Sequence, residues 1–246
     1  MSRHVIIVNY NTPAMTKHVA IVNFNTPRLV NCAIQSVRLH TPGCFFHIFD
    51  NSDRYPFTAL DADIEYIDNT RGQIVNWSEW LQGFPDREPE PTNNYGSAKH
   101  TYTIQWLIDH IGEPLVLLDS DALLRTDIAP LYNPDVAFAA ELRTNRGFWG
   151  ADVMRASPIL CYLNVPMLSQ HGITYFNPRK MWALVKDKPA SRYDTGAWLF
   201  EQVESAHLPY ITFALSDYAE HLGHASWRTR PAQQWLLKHK SLWSVE

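Results

Sequence analysis

Two aspartates one residue apart, Asp119 and Asp121, stand directly behind the apolar run Leu115-Val-Leu-Leu118. At a strand end the alternation of side chains relaxes, so both carboxylates can turn toward one hard cation. Magnesium or manganese takes oxygen ligands and is commonly completed by substrate phosphates, which implies a phosphorylated substrate. Asp-Ser-Asp is also an ordinary turn composition. Here, however, an apolar strand precedes it and Leu123-Leu124 follows, placing the acids deep in a fold where an unpaired charge is costly. Further on, His221 and His224 are three residues apart, and Arg228 and Arg230 add positive charge suited to a diphosphate. No cysteine or further histidine lies near them at zinc-ligand spacing. Asp194, in Tyr193-Asp-Thr-Gly196, is placed to cap a helix.

The elements that must position these residues alternate between strand and helix patterns. A near-repeat, His4-Val-Ile-Ile-Val-Asn-Tyr-Asn-Thr-Pro13 and His18-Val-Ala-Ile-Val-Asn-Phe-Asn-Thr-Pro27, reads as strand then loop in both copies. Only the second is followed by a helix, with Thr26 as N-cap, Pro27 at the first position, and Val30, Ala33, Ile34 and Val37 at helical spacing. The second copy is therefore the working first strand. A second strand ends in Asp50-Asn51-Ser52, a third at 64–67 ends in Asp68-Asn69, and the helix signal from Ser97 stops at Gly112. Leu115 to Leu118, wholly apolar, has the pattern of a central parallel strand covered on both faces. In the second half the pattern predicts a strand at 136–140, a helix after Pro158, an aromatic strand at 173–176, a helix from Pro178, a helix through Trp198 to Val203 capped by Asp194-Thr195, and a strand at 210–215.

This is the pattern of an α/β protein with one mostly parallel central sheet flanked by helices, in a single domain. Its expected parts are a duplicated N-terminal arm (1–17), a first half carrying Asp119 and Asp121 (18–140) and a second half carrying the late histidines (141–246). A net charge of −4 without a basic cluster argues against nucleic acid. No apolar run approaches a membrane span, and the N-terminal apolar stretch is too short for a secretory leader. Three cysteines without Cys-x-x-Cys spacing suggest reduced thiols, so a cytoplasmic protein is expected, one that can sit peripherally at a membrane surface.

Four segments together resemble the nucleotide-sugar-dependent glycosyltransferases of the GT-A fold, closest in pattern to inverting family two. They are Ile21-Val-Asn-Phe-Asn-Thr-Pro27, Phe49-Asp-Asn-Ser52, Val116-Leu-Leu-Asp-Ser-Asp121 and His221-Leu-Gly-His-Ala-Ser226, and they span most of the chain. The resemblance implies a Rossmann-like sheet, a D-x-D motif, a donor-binding half over 18–140 and an acceptor-binding half over 141–246. Asn23, Thr26 and Pro27 would line a nucleoside pocket, while Asp50 and Asn51 would meet the base or ribose. Asp119, Ser120 and Arg228 would contact the donor. Asp119, Asp121, His221 and His224 would hold Mn2+ or Mg2+. Asp194 is the one acid matching the family's acceptor-facing acidic cluster, so it would be the base of an inverting transfer. Trp149, flanked by glycines in Gly147-Phe-Trp-Gly150, is the acceptor-side candidate. The expected partners are a nucleotide-diphosphate sugar and a glycan, lipid-linked or protein acceptor, as in polysaccharide biosynthesis. Retaining GT-A enzymes share D-x-D and a late histidine. A sugar-phosphate nucleotidyltransferase ranks lower because the loop after the first strand has no glycine, and a non-catalytic GT-A binding module ranks below that.

Overall fold

The structure, a computed structural model, describes residues 16–82, 95–145, 153–178, 180, 193–223 and 229–239. The first copy of the repeat, Trp149, His224 and Arg228 lie outside the described residues.

Among the described residues seven strands form one sheet in the spatial order β3-β2-β1-β4-β7-β6-β8. The first half builds it by parallel crossovers: β1 (Lys17–Asn23), helix α1 (Pro27–His40), β2 (Cys44–Asp50), β3 (Ile64–Asp68), α2 (Trp77–Gln82), α3 (Tyr95–Ile111) and β4 (Leu115–Leu118). A short strand β5 (Ala122–Leu124) follows, then β6 (Phe138–Asn145), β7 (Val153–Leu163), α4 (Val165–Gln170), α5 (Ala197–Ser205), β8 (Ile211–Thr212), β9 (Ala219–His221) and α6 (Thr229–Lys238). Only β7 runs against the rest, antiparallel to both β4 and β6. β5 and β9 leave the main sheet and pair as a separate antiparallel ribbon.

Both faces of the sheet are covered, which explains the unbroken apolar run of β4. Val19, Ile21, Phe46, Ile48, Val116 and Leu118 pack toward α1, whereas Ala20, Phe49, Leu115 and Leu117 pack toward Ile104, Leu107 and Ile108 of α3. Among the described residues no helix is long and apolar enough to cross a membrane.

The second half departs from the periodicity in three places. Pro158, expected to open a helix, lies inside β7. It is tolerated because the β6 register jumps there, from Ala140↔Cys161 to Leu142↔Ala156, so Pro158 sits in the bulge where β6 asks no amide of it. Residues 173–176 are a loop rather than a strand. The Gln105 side chain takes up the amides of Tyr175 and Phe176 and Gln202 that of Thr174, doing what a neighbouring strand would have done. The strand expected at 210–215 shrinks to Ile211–Thr212. The helix expected from Pro178 falls mostly outside the described residues.

At the sheet end remote from the D-x-D turn, a polar row crosses the α3 face. His18 Nδ1 and His47 Nε2 are 2.9 Å apart, His47 Nδ1 is 2.6 Å from Glu65 Oε2, and His110 Nε2 is 2.9 Å from Glu65 Oε1. Burial lowers the pKa of both His18 and His47, outweighing the pull of Glu65 on each and of Glu113 on His18; His18 and His110 add to the lowering at His47. Both imidazoles therefore resist protonation in the folded protein but not in the unfolded chain. Their contribution is present above the unfolded value near 6.5 and is lost as pH falls toward the lower folded values. Melting temperature is thus expected to fall between about pH 7 and 5, and His18→Asn to flatten that decline. A variant with the wild-type pH slope would remove His18 from the account.

Candidate active site

The carboxyl ends of the parallel strands meet in a hydrogen-bonded floor. Asn23, fully buried at the end of β1, donates from Nδ2 to Asp50 Oδ1 and to Ser52 Oγ, both at 3.0 Å. Its Oδ1 accepts the amide of Thr26 at 3.1 Å and the Thr26 hydroxyl at 3.3 Å. Thr26 is the N-cap of α1, as its position before Pro27 predicts, yet its side chain makes no cap bond. The hydroxyl turns instead to Asn23 and to Ser120 Oγ, 3.2 Å away, tying the β1 loop to the D-x-D turn.

Asp50 is fully buried and its carboxylate accepts four protein donors: Asn23 Nδ2, the amides of Ser52 and Phe57, and the Tyr66 hydroxyl. Asn51 is similarly engaged by Asn69, Trp77 Nε1 and Thr103. In this arrangement both residues shape the loops. The half-exposed Thr26, Pro27 and Ser120, together with the exposed Phe24, form the accessible rim.

The D-x-D turn is made by the end of β4. The Asp119 amide bonds Ile159 O of β7 at 3.0 Å, and the Asp119 carbonyl then accepts the Ala122 amide at 3.0 Å, closing a tight turn into β5. Ala122 pairs with His221 across the ribbon, and the Leu222 amide bonds Asp121 O at 3.0 Å. This pairing brings His221 Nε2 to 3.0 Å from Asp121 Oδ1 and 3.8 Å from Asp119 Oδ2. One ligand atom from each of Asp119, Asp121 and His221 lies within 4.8 Å of the other two, the one such cluster among the described residues.

The three groups perturb one another's charge. Burial raises the Asp119 pKa, and the neighbouring charge of Asp121 adds to it, while His100, His221 and Arg155 pull the other way. Burial opposes protonation of His221, but the hydrogen bond and charge of Asp121, with the charge of Asp119, outweigh it and lift the imidazole above its ordinary value.

Asp194 is linked to this centre through Arg155. Arg155 Nη1, from β7, is 3.2 Å from Asp194 Oδ2, and Arg155 also acts electrostatically on Asp119. Asp194 is not the helix cap: Gly196 is, and the Asp194 carboxylate instead accepts the Thr195 amide at 2.8 Å. Gly196 has φ 87°, and its carbonyl accepts the Ala156 amide at 3.3 Å, pinning the start of α5 to β7.

Sequence reading missed Arg155, His100 and Tyr175. Arg155 Nε and the Tyr175 hydroxyl are buried and without a hydrogen-bond partner among the described residues, and Tyr175 feels the charges of Arg155, Asp119 and Asp194. Lys99 was missed too. Its Nζ lies 4.9 Å from the Trp77 ring centre and 5.9 Å from that of Phe24, at the rim of the β1 loop. The basic pair Lys99-His100 opening a helix after a polar loop was the one available signal.

No protein-family model matches the chain, and no curated protein matches it in sequence. Solved structures do match in fold. A galactosyltransferase, LgtC, in complex with donor and acceptor sugar analogues, aligns over 92% of this chain and 94% of its own with a TM-score of 0.54 at 14% identity. Weaker matches include the bifunctional glycosyltransferase WbbM (81% of this chain, 39% of that one, TM-score 0.44, 9% identity) and the glycosyltransferase GlyE of Streptococcus pneumoniae TIGR4 (64%, 36%, 0.38 and 14%). The fold is GT-A: a mostly parallel α/β sheet flanked by helices, in one domain.

Proposed function

We propose that this chain is a divalent-metal-dependent glycosyltransferase that moves one sugar from a nucleotide-diphosphate donor to a glycan, lipid-linked or protein acceptor. The observation that carries the reading is the convergence of Asp119, Asp121 and His221 at the carboxyl end of the central strand, where open α/β sheets bind ligands. The donor set fits the group it implies. Two carboxylates and one imidazole suit Mn2+ well and Mg2+ through the oxygens, with further coordination left to phosphate and water. When bound, the cation supplies Lewis-acid stabilisation of the departing nucleoside diphosphate.

This chain's own residues do the rest. Thr26 and Pro27, backed by Asn23, Asp50 and Asn51, form the nucleoside side of the cleft; Ser120 and Lys99 border the phosphates. A donor screen read by thermal shift tests the proposal: one nucleotide-sugar should raise the melting temperature with Mn2+ present and not without it. No response to any donor in either condition would overturn it.

For the stereochemistry we infer inversion, with Asp194 accepting the proton of the attacking acceptor hydroxyl and Trp149 on the acceptor side. Asp194→Asn should then retain donor binding while transfer slows by about a hundredfold or more. One observation favours a second reading, retention: the Asp194 carboxylate is already engaged by Arg155 and by the Thr195 amide, an arrangement that orients an anion rather than readies a base. The anomeric configuration of the first product, read by NMR, decides between them.

A further inference from the structure

The ribbon that brings His221 to Asp121 is small. β5 and β9 contribute three residues each, and two-stranded pairs of that size do not hold themselves together in water. Something else must fix it. Along an extended strand successive side chains face opposite ways, so in β9 His221 points into the candidate metal centre and Glu220 points out behind it. The Glu220 carboxylate is where support arrives. Its Oε2 lies 2.6 Å from Arg125 Nη2, and its Oε1 accepts from Lys238 Nζ at 2.8 Å and Trp235 Nε1 at 3.2 Å, with His239 Nε2 at 3.4 Å. Three of these partners belong to α6 or the residue after it. The Trp235 ring is buried in a slot formed by Leu29 and Cys32 of α1 and Leu123 of β5. Leu123 is the residue that pairs with Glu220 across the ribbon.

We propose that Glu220 is a positioning residue for the metal centre: by gathering Arg125, Trp235, Lys238 and His239 it fastens α6 to the back of the ribbon and fixes His221 against Asp121. The inference rests on the reading of Asp119, Asp121 and His221 as metal ligands and deepens it by naming what holds the third ligand in place. The cost of removing the hub is therefore paid in cation affinity rather than in the fold of the main sheet, to which Glu220 contributes no strand.

The test is Mn2+ titration of the full chain, followed by calorimetry or by the EPR signal of free Mn2+. Glu220→Ala should weaken Mn2+ binding by about ten- to a hundredfold, the range found for residues behind metal ligands. Glu220→Gln, which keeps an oxygen for Trp235 and Lys238, should recover most of the affinity. Leu237→Ser, at an exposed position of α6 whose side chain is not among the Glu220 partners, should leave it unchanged. If Glu220→Ala does not fold, the surface double variant Arg125→Ala/Lys238→Ala takes its place, with an expected loss of about three- to tenfold. Wild-type affinity in Glu220→Ala, or in the double variant where Glu220→Ala does not fold, overturns the positioning role and leaves the metal reading standing. Absence of Mn2+ binding by the wild type, indistinguishable from Asp121→Ala, overturns the metal reading and this inference with it.

Discussion

Asp121→Ala is expected to abolish the cation-dependent part of donor binding and to slow sugar transfer by at least about a hundredfold, the scale on which loss of one charge-stabilising group acts. Asp121 is nearly buried, makes the 3.0 Å contact with His221, and anchors Leu222 through its carbonyl. Only its side-chain role disappears on substitution, because the carbonyl bond survives. Without ligands, two effects oppose each other. The repulsion that helps raise the Asp119 pKa is relieved, and the partner that lifts the His221 pKa is lost. The ligand-free melting temperature should therefore change little, while the rise produced by donor with Mn2+ disappears. That separation makes the measurement decisive: a variant that keeps the full donor-dependent rise removes Asp121 from the site.

The second large effect is on the fold beside Asp194. Gly196→Ala should destabilise the protein by about 3 kcal/mol or more in a denaturant titration. At φ 87° any side chain is strained, and a Cβ built there lies 1.9 Å from the Ala156 carbonyl oxygen, a backbone atom inside β7. That oxygen cannot retreat without moving the stretch of β7 in which Ala156 pairs with Leu142 of β6. Relief by displacing α5 would break the Ala156–Gly196 backbone bond and draw Asp194 off Arg155. Gly43, also at positive φ but with nothing within 4 Å, serves as the comparison: its alanine variant carries the conformational cost alone. Equal losses at the two positions would show that the contact with β7 is not what constrains residue 196.

The first half of the fold was legible because local signals and tertiary demands agree there. Thr26-Pro27, the apolar β4 and Gly112 each mark a boundary that the chain obeys. In the second half they conflict. Pro158 reads as a helix start by every local rule, and only the register jump opposite Ala140 and Leu142 reveals why a strand accepts it. The D-x-D pair could be named from type and spacing and His221 from the family resemblance, but the ribbon that joins them could not, since three-residue strands leave no periodicity to read. Arg155 was invisible for a similar reason. Its relation to Asp194 spans about forty residues and depends on Gly196 seating α5 against β7.

Asp121 and His221 are separated by 100 positions in the chain. Bringing them together closes a long loop, a contact whose entropy must be met before anything is gained from it. A nascent polypeptide emerging from the ribosome can complete β1 to β4 long before His221 exists. The proposed metal centre is accordingly among the last parts of the molecule to assemble, and a metal ion encountered earlier would find only two of the three proposed ligands.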